Sequence, residues 1–278
     1  MEHFFMRRMA AASQVLSDAG IGPRRLAMGG DWYLEEWDAR CKGSPIPDTL
    51  DDWASIGRLA ARLHGVPTEW FIPFRAELIQ QHPHMSGVPT GSHVWMWLSR
   101  WGAMQGCLMD DHELFLDYAD PGPFAPRHPA ASRIVTVHGD MHLGNMIDLG
   151  DAGLGVIDLE FVCATSAAFD LGRALLSTQS AAERRAFLSA YMEASGYLVT
   201  EADIHELLLD CRFALMTYGL GGMPWIEDLW NESAGEVRAS VQYWKGWAAE
   251  VWGSTEMQRE LRENGLPEPW NPTFSLFE

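Results

Sequence analysis

Long hydrophobic runs, paired cysteines and lysine are all scarce or missing in this sequence. No stretch approaches the roughly 18 uninterrupted apolar residues of a membrane span, and charged residues interrupt the N-terminal apolar segment. The four cysteines are scattered and form no CxxC pair, so neither a disulfide framework nor a zinc site is indicated. Lysine occurs only at positions 42 and 245, and arginine supplies the remaining positive charge. We expect a soluble, cytoplasmic protein without a signal peptide.

The balance of charge is strongly acidic, with a formal net charge of −18 over 278 residues. Nucleic acids and anionic membranes would be repelled by such a surface, so we expect neither as a partner. Neutral or cationic small molecules are easier to accommodate.

With 47% hydrophobic residues the chain can bury an ordinary core, as one large domain or two small ones. The sequence leaves the oligomeric state open, and a dimer is possible.

Hydrophobic spacing predicts a small front containing strands, followed by a mostly helical body. The front has a helix over residues 2–18 and a hairpin of strands 24–28 and 32–37 around a Gly-Gly-Asp turn. In the body, Trp53, Ile56, Leu59, Ala60 and Leu63 mark one helical face. A connecting segment without regular secondary structure is predicted over residues 67–92. Further helical patterns cover residues 93–119, 171–178, 204–218 and 237–252.

The segment VTVHGDMHLGNMIDLGDAGLGVIDLE, residues 135–160, carries the chemistry. Its pattern predicts a strand, a loop with Asp140, and then two strands around a turn at residues 150–153. That turn would place Asn145 opposite Asp158 in the ladder, where paired Cβ atoms lie about 4.5–5.5 Å apart. One amide and one carboxylate suit Mg²⁺, which keeps other positions for water and phosphate oxygens.

Asp140 lies in the same loop but is not a ladder partner of the predicted metal ligands, so it can orient a hydroxyl group or accept its proton. An Asp, an Asn five residues later and a second Asp beyond a hairpin follow the order of groups in kinase phosphoryl transfer. A metallophosphoesterase is the competing interpretation, because Asp140 and His142 resemble its first motif. That class needs further histidine clusters, and His205 is the only histidine after Asn145.

At family level, the chain resembles the aminoglycoside phosphotransferase and choline kinase superfamily. VHGDMHLGN is similar to the catalytic loop of that family, VIDLEF to its metal-binding segment, and AAFDLGRALL and IGRLAARLHGVP to two of its helices. The resemblance implies an α+β, protein-kinase-like fold with a shortened N-terminal lobe. It places that residual lobe and the hinge at residues 1–38 and a helical C-terminal lobe, with its catalytic β-hairpin, at residues 39–278.

The resemblance also implies a role for individual residues. Asp140 would be the catalytic base, and Asn145, Asp158 and Glu160 would hold Mg²⁺. His138 and Asp170 would support the catalytic loop. Glu35, Glu36 and Trp37 would form the hinge that meets the adenine of ATP. The aromatic residues Trp225, Trp230 and Trp244 are candidates for binding a cationic substrate, although such residues at helical spacing are more often part of a core.

The chain departs from the resemblance at its front. A complete kinase of this type carries a phosphate-covering loop and a strand lysine before its first helix, whereas Lys42 and Lys245 both follow the predicted hinge. The natural protein is longer, or the phosphates are held by other means, or the kinase is degenerate. We therefore expect an ATP- and Mg²⁺-dependent phosphotransferase acting on a small-molecule hydroxyl. The first candidate is choline- or ethanolamine-like, followed by aminoglycoside- or methylthioribose-like compounds. A catalytically degenerate binding or regulatory protein is the alternative.

Overall fold

The structure is a computed structural model that describes residues 2–29, 32–36, 41–81, 83–88, 90–91, 95 and 128–221. The predicted helices over 93–119 and 237–252 lie outside these residues, apart from position 95. None of the helices in the described part is both long and apolar enough to span a lipid bilayer.

The front of the chain forms helix α1 (Glu2–Asp18) and an antiparallel hairpin of β1 (Arg25–Met28) and β2 (Tyr33–Glu35). The hairpin matches the predicted strands 24–28 and 32–37, with a register irregularity in β1. Much of its apolar surface is open to solvent. The exposed side chains include Leu26, Trp32, Tyr33 and Leu34.

Helix α2 (Leu50–His64) begins at a capping box, in which the Thr49 hydroxyl accepts from the Asp52 amide and the Asp52 carboxylate accepts from the Thr49 amide. Its buried face contains all five residues that the hydrophobic spacing predicted. Gly57 lets this helix approach α6 (Ala181–Ala194) closely, because an added Cβ would lie only 2.2 Å from the carbonyl oxygen of Phe187. The two helices therefore pack almost backbone to backbone.

The prediction that residues 67–92 lack regular secondary structure is wrong for much of this segment. A 3₁₀ turn leads into helix α3 (Ile72–Gln81), and another 3₁₀ turn follows it. Pro73 lies in the first helical turn, where its missing amide hydrogen costs nothing. Phe74 and Leu78 are buried four residues apart and attach the helix to the core.

After the short helix α4 (Pro129–Ser132), two antiparallel strand pairs form the centre of the molecule. Strand β3 (Ile134–Val137) pairs with β6 (Cys163–Ser166), and β4 (Met146–Asp148) pairs with β5 (Leu154–Val156). The β4–β5 hairpin is inserted in the chain between β3 and β6, so β3 and β6 hold both of its ends.

In the described residues, three helices follow the strands: α5 (Ala168–Leu175), α6, and α7 (Glu201–Gly221). Helix α6 begins at a second capping box, made by Ser180 and Glu183. The core is continuous from α1 and α2 through β3 and β6 to these helices. The catalytic motif is therefore enclosed by elements from both ends of the described chain.

Candidate active site

Strand β3 carries the HGD motif to the surface of the core. Val135, Thr136 and Val137 are buried, and Val137 pairs with Cys163 of β6. Because β3 ends at Val137, His138 and the two residues that follow it leave the ladder with their backbone groups unpaired by a strand. Other parts of the structure must bind those groups.

Asp170 of α5 binds the backbone of this loop. Its Oδ2 accepts from the amide of His138 at 2.6 Å, and its Oδ1 accepts from the amide of Gly139 at 2.8 Å. Asp170 is fully buried, and His64 Nε2 donates to Oδ2 at 3.2 Å. His64 Nδ1 lies 3.0 Å from the hydroxyl oxygen of Tyr191. Helices α2, α5 and α6 thus meet at the catalytic loop through one chain of buried polar groups.

Gly139 gives the loop its sharp bend. Its φ is +83°, and an added Cβ would lie 2.6 Å from the Cβ of Phe161. A side chain at this position would be strained and would also collide with the segment after Asp158.

His138 joins the catalytic loop to the end of β5. Its Nε2 donates to the carbonyl oxygen of Ile157 at 2.7 Å, which leaves Nδ1 to accept from the amide of Asp140 at 3.3 Å. The ring is completely buried. The two halves of the motif are therefore fixed relative to each other by one imidazole.

The carboxylate of Asp140 is held by three side chains. Arg173 Nε donates to Oδ1 at 2.8 Å, Asn145 Nδ2 lies 3.3 Å from Oδ2, and His142 Nε2 lies 3.4 Å from the same oxygen. Asn145 Nδ2 also donates to the backbone carbonyl of Asp140 at 3.0 Å. The side chain of Asp140 keeps 20% of its surface exposed, so a small molecule can reach it.

The sequence analysis missed Arg173. The signal was present, because Arg173 follows Asp170 by three residues on a predicted helix and so lies on the same helical face. One face of α5 therefore contacts both the loop backbone and the Asp140 carboxylate.

The predicted register of the β4–β5 hairpin is wrong by one residue. The observed pairs are Met146 with Val156, Ile147 with Gly155, and Asp148 with Leu154. The last ladder pair, Asp148 with Leu154, leaves five residues, 149–153, in the connection instead of the four expected, and the 3₁₀ turn Gly150–Ala152 lies within it.

Asn145 consequently lies opposite Ile157, and its carbonyl oxygen accepts from the Ile157 amide at 3.0 Å. Asp158 follows one residue beyond the ladder, with a φ of 60°, and it is the only non-glycine residue with positive φ in the described part of the chain. The two predicted metal ligands leave the same end of the hairpin. The backbone turn at Asp158, rather than a ladder partnership, sets the direction of its side chain.

The charge around Asp158 fits a cation. Burial is the main cause that raises the pKa of Tyr33 and of Glu35, and the Asp158 carboxylate adds to the rise in both. Asn145 turns its amide nitrogen toward Asp140, so its amide oxygen points elsewhere and is the atom that would meet Mg²⁺. The described residues contain no group of three or more His, Cys, Asp or Glu side chains that could hold a metal. A site here would consist of Asn145 and Asp158 with phosphate and water oxygens.

The predicted hinge residues are only partly described. Glu35 pairs with Arg25 at 3.4 Å, and the Arg25 guanidinium lies over the Tyr33 ring at 4.5 Å. Glu36 pairs with Arg24 at 2.9 Å. Glu35 thus contacts the first residue of β1, and Glu36 contacts the residue just before it. A hinge role for these residues stays a prediction.

The remaining predicted site residues are Glu160 and four tryptophans. Trp37, Trp225, Trp230 and Trp244 all lie outside the described residues. Their predicted roles in the hinge and in substrate binding stay predictions, as does a role for the Glu160 carboxylate in metal binding.

A family model described as the phosphotransferase enzyme family, APH, matches residues 5–208, which include every residue of the predicted catalytic loop and the predicted metal-binding segment. The chain belongs to this family. The resemblance noted from the motifs is thereby confirmed. No curated protein matches the sequence.

Solved structures with the same fold are distant in sequence from this family member. An ethanolamine kinase from Plasmodium vivax is 14% identical with a TM-score of 0.62, and the match covers 87% of this chain and 72% of that one. A choline kinase from Cryptosporidium parvum is 12% identical with a TM-score of 0.52, covering 93% and 79%. A macrolide 2'-phosphotransferase from Brachybacterium faecium is 19% identical with a TM-score of 0.51, covering 85% and 79%. The predicted protein-kinase-like α+β fold is confirmed.

Proposed function

We propose that this phosphotransferase transfers the γ-phosphoryl group of ATP to a hydroxyl group of a small molecule. The proposal rests on how the Asp140 carboxylate is held and on its exposure to solvent. Its carboxylate is fixed by Arg173 and Asn145 on a loop that Asp170 clamps, yet it remains partly open to solvent. A carboxylate that is held in place and partly open to solvent suits a group that receives a substrate hydroxyl.

Asp140 would accept the hydrogen bond of the substrate hydroxyl and take its proton as the bond to phosphorus forms. Arg173 fixes one carboxylate oxygen, and Asn145 binds near the other. The acceptor therefore stays in place without reorganising during the reaction, which is how positioned groups accelerate phosphoryl transfer.

Asn145 and Asp158 would hold Mg²⁺ through one amide oxygen and one carboxylate. The cation, when bound, neutralises charge on the transferring phosphoryl group. The negative charge of Asp158, felt by both Tyr33 and Glu35, supports this assignment. Glu160 is proposed as a further group near the metal.

Choline- or ethanolamine-like compounds are our first candidates for the substrate. The net charge of −18 favours a cationic ligand, and aromatic rings at Trp225, Trp230 and Trp244 would suit a quaternary ammonium group. The similar structures include an ethanolamine kinase and a choline kinase. Aminoglycoside-like and methylthioribose-like compounds come next.

The second candidate function is a kinase-like binding or regulatory protein that transfers nothing. In this sequence both lysines, Lys42 and Lys245, follow the predicted hinge, whereas the strand lysine of a complete kinase precedes it. This candidate predicts ligand binding without turnover.

The test combines calorimetric titration with ATP, with and without Mg²⁺, and a turnover screen that begins with choline and ethanolamine. Asp140→Ala should lower kcat by at least about a thousandfold, within the range for loss of a general base, while nucleotide affinity changes little. Asp151→Ala is the matched control, because Asp151 is exposed at the tip of the β4–β5 turn. Unchanged turnover in Asp140→Ala would overturn the assignment. Nucleotide binding with no turnover of any substrate would favour the second candidate.

A further inference from the structure

Two neighbouring arginines on α1 have opposite environments. The side chain of Arg7 is 52% exposed and pairs with Glu77 on α3 at 2.8 Å. Arg8 is completely buried, at 0% exposure. Burying a guanidinium is costly, so a buried arginine needs strong hydrogen bonds to persist.

Those hydrogen bonds go to the backbone of the metal-binding segment. Arg8 Nη1 donates to the carbonyl oxygen of Val162 at 2.5 Å, and Nη2 donates to that of Glu160 at 2.5 Å. The guanidinium carbon also lies 5.3 Å from the centre of the Phe5 ring. A planar fork with two donors can bind two carbonyls at once, which the single ammonium group of lysine cannot reproduce.

One carbonyl belongs to Glu160, the middle residue of the 3₁₀ turn Leu159–Phe161, and the other to Val162, which follows the turn. The turn begins directly after Asp158. Asp158 has a left-handed backbone conformation, which is unfavourable for a residue other than glycine. Such a conformation persists only when the surrounding structure fixes it. His138 fixes the residue before Asp158 through the Ile157 carbonyl, and Arg8 fixes the turn after it.

We propose that Arg8 is a positioning residue that sets the orientation of the Asp158 carboxylate for Mg²⁺. The inference rests on the proposed function, because it concerns the same metal. Arg8 would act through the backbone of residues 159–162 and would touch neither the metal nor the substrate. It would also make the position of α1 and the metal affinity depend on each other.

The test uses Mg²⁺ and ADP, which bind without turnover. ADP affinity is measured by calorimetry, with and without Mg²⁺, for the wild-type protein and for Arg8→Lys, Arg8→Gln and Arg7→Gln. Loss of a group that orients a metal ligand typically weakens metal binding about ten- to hundredfold. We expect that loss in the Mg²⁺-dependent part of ADP affinity for both Arg8 variants, with metal-free affinity changed less than about twofold. Arg7→Gln should match the wild type in both.

A purely structural role would weaken metal-free and Mg²⁺-dependent binding alike, and that result would overturn the inference. Wild-type Mg²⁺-dependent binding that is retained in both Arg8 variants would also overturn it while leaving the proposed function intact. If the wild-type protein binds ADP no better with Mg²⁺, the proposed function itself fails and the metal role of Arg8 fails with it.

A second measurement needs no variant, so it does not depend on whether the Arg8 variants fold. Amide hydrogen exchange is followed in the wild-type protein before and after Mg²⁺ and ADP are added. Slower exchange should appear at residues 158–163 and also in α1 around Arg8, because the two segments share the guanidinium. Protection confined to residues 158–163 would contradict the proposed connection.

Discussion

The predicted catalytic loop and the β1–β2 hairpin, which leads to the predicted hinge, are held in different ways. The loop is bound by buried polar groups, with Asp170 and His138 both at 0% exposure. The hairpin is held by two ion pairs. Arg25 and Glu35 have exposed fractions of 9% and 25%, and the surface pair of Arg24 and Glu36 has exposed fractions of 62% and 52%. Surface pairs of this kind contribute little to stability, whereas satisfied buried networks make a structure rigid.

The difference predicts that the catalytic loop is rigid and that the β1–β2 hairpin is less stable. The groups proposed for phosphoryl transfer are fixed before any ligand arrives, as electrostatic catalysis requires. The hairpin, with Leu34 at 54% exposure, buries little apolar surface and belongs to the less stable part of the described chain. Substitutions that affect the catalytic loop should therefore change activity and stability far more than substitutions in the hairpin.

The largest effect is expected from Asp170→Asn. The amide would present only one acceptor oxygen, so its NH₂ group would face the backbone amide of His138 or Gly139. Displacing a catalytic group by about 1 Å can cost a hundredfold in rate, and an unsatisfied buried donor costs about 1–3 kcal/mol of stability. We expect losses of that order in kcat/KM and in the free energy of unfolding by urea.

Asp148→Asn is the matched control for this substitution. Asp148 is a half-buried carboxylate that accepts from the Gly150 amide at 2.7 Å, and an asparagine can make the same hydrogen bond. If Asp170→Asn and Asp148→Asn had equal and small effects, the clamp on the catalytic loop would be unimportant.

A pair of threonine substitutions compares β3, the buried strand that leads into the catalytic loop, with the β1–β2 hairpin. Val137→Thr in β3 keeps the shape of the side chain but buries a hydroxyl, which should cost about 1–3 kcal/mol. Leu34→Thr in β2 lies on an exposed surface and should change stability by less than about 0.5 kcal/mol. Urea unfolding of both variants measures the contrast, and equal losses would show that the hairpin is as strongly held as the core.

The smallest effect should be a pH dependence that originates beside β3. His128 caps α4, where its Nδ1 accepts from the amide of Ala130 at 3.1 Å. Burial lowers the pKa of His128 below its ordinary value of 6.5, although Glu206 and Asp203 oppose this shift. The contribution of His128 is therefore fully present above about pH 6.5 and is lost as the pH falls through its folded pKa.

His128→Asn keeps an acceptor at the cap but cannot titrate in this range. Between pH 7 and pH 5 the wild-type protein should lose more stability than this variant. The difference is limited to about 1.4 kcal/mol per pH unit, the value for a single proton. Parallel unfolding curves for the two proteins would remove His128 as the source.

The sequence was sufficient to predict the parts of the fold that depend on local patterns. Strand β3 is β-branched, and α2 has a regular apolar stripe with a capping box, so both were predictable. Strand β6 was missed because all of its residues are buried and small or polar, which leaves no alternation to detect. The ladder register depended on a turn longer by one residue, which no pattern in the turn specified.

Long-range contacts explain what the sequence could not predict in the site. Arg7 and Arg8 are adjacent and identical in type, and only contacts with residues more than 150 positions away decide which one is buried. The role of Arg173 was within reach, since its spacing from Asp170 was readable. Periodicity identifies the face of a helix, but it does not identify what that face meets.

The exposed tip of the β4–β5 hairpin offers a practical use. Residues 151–153 are open to solvent, while Asn145 and Asp158 lie at the opposite end of the same short ladder. A fluorescent dye attached at position 151 would sit on the same hairpin as the proposed metal site without occupying that site. Because both strands of the hairpin connect the dye to that site, its emission could report ligand arrival in real time, before any substrate is known.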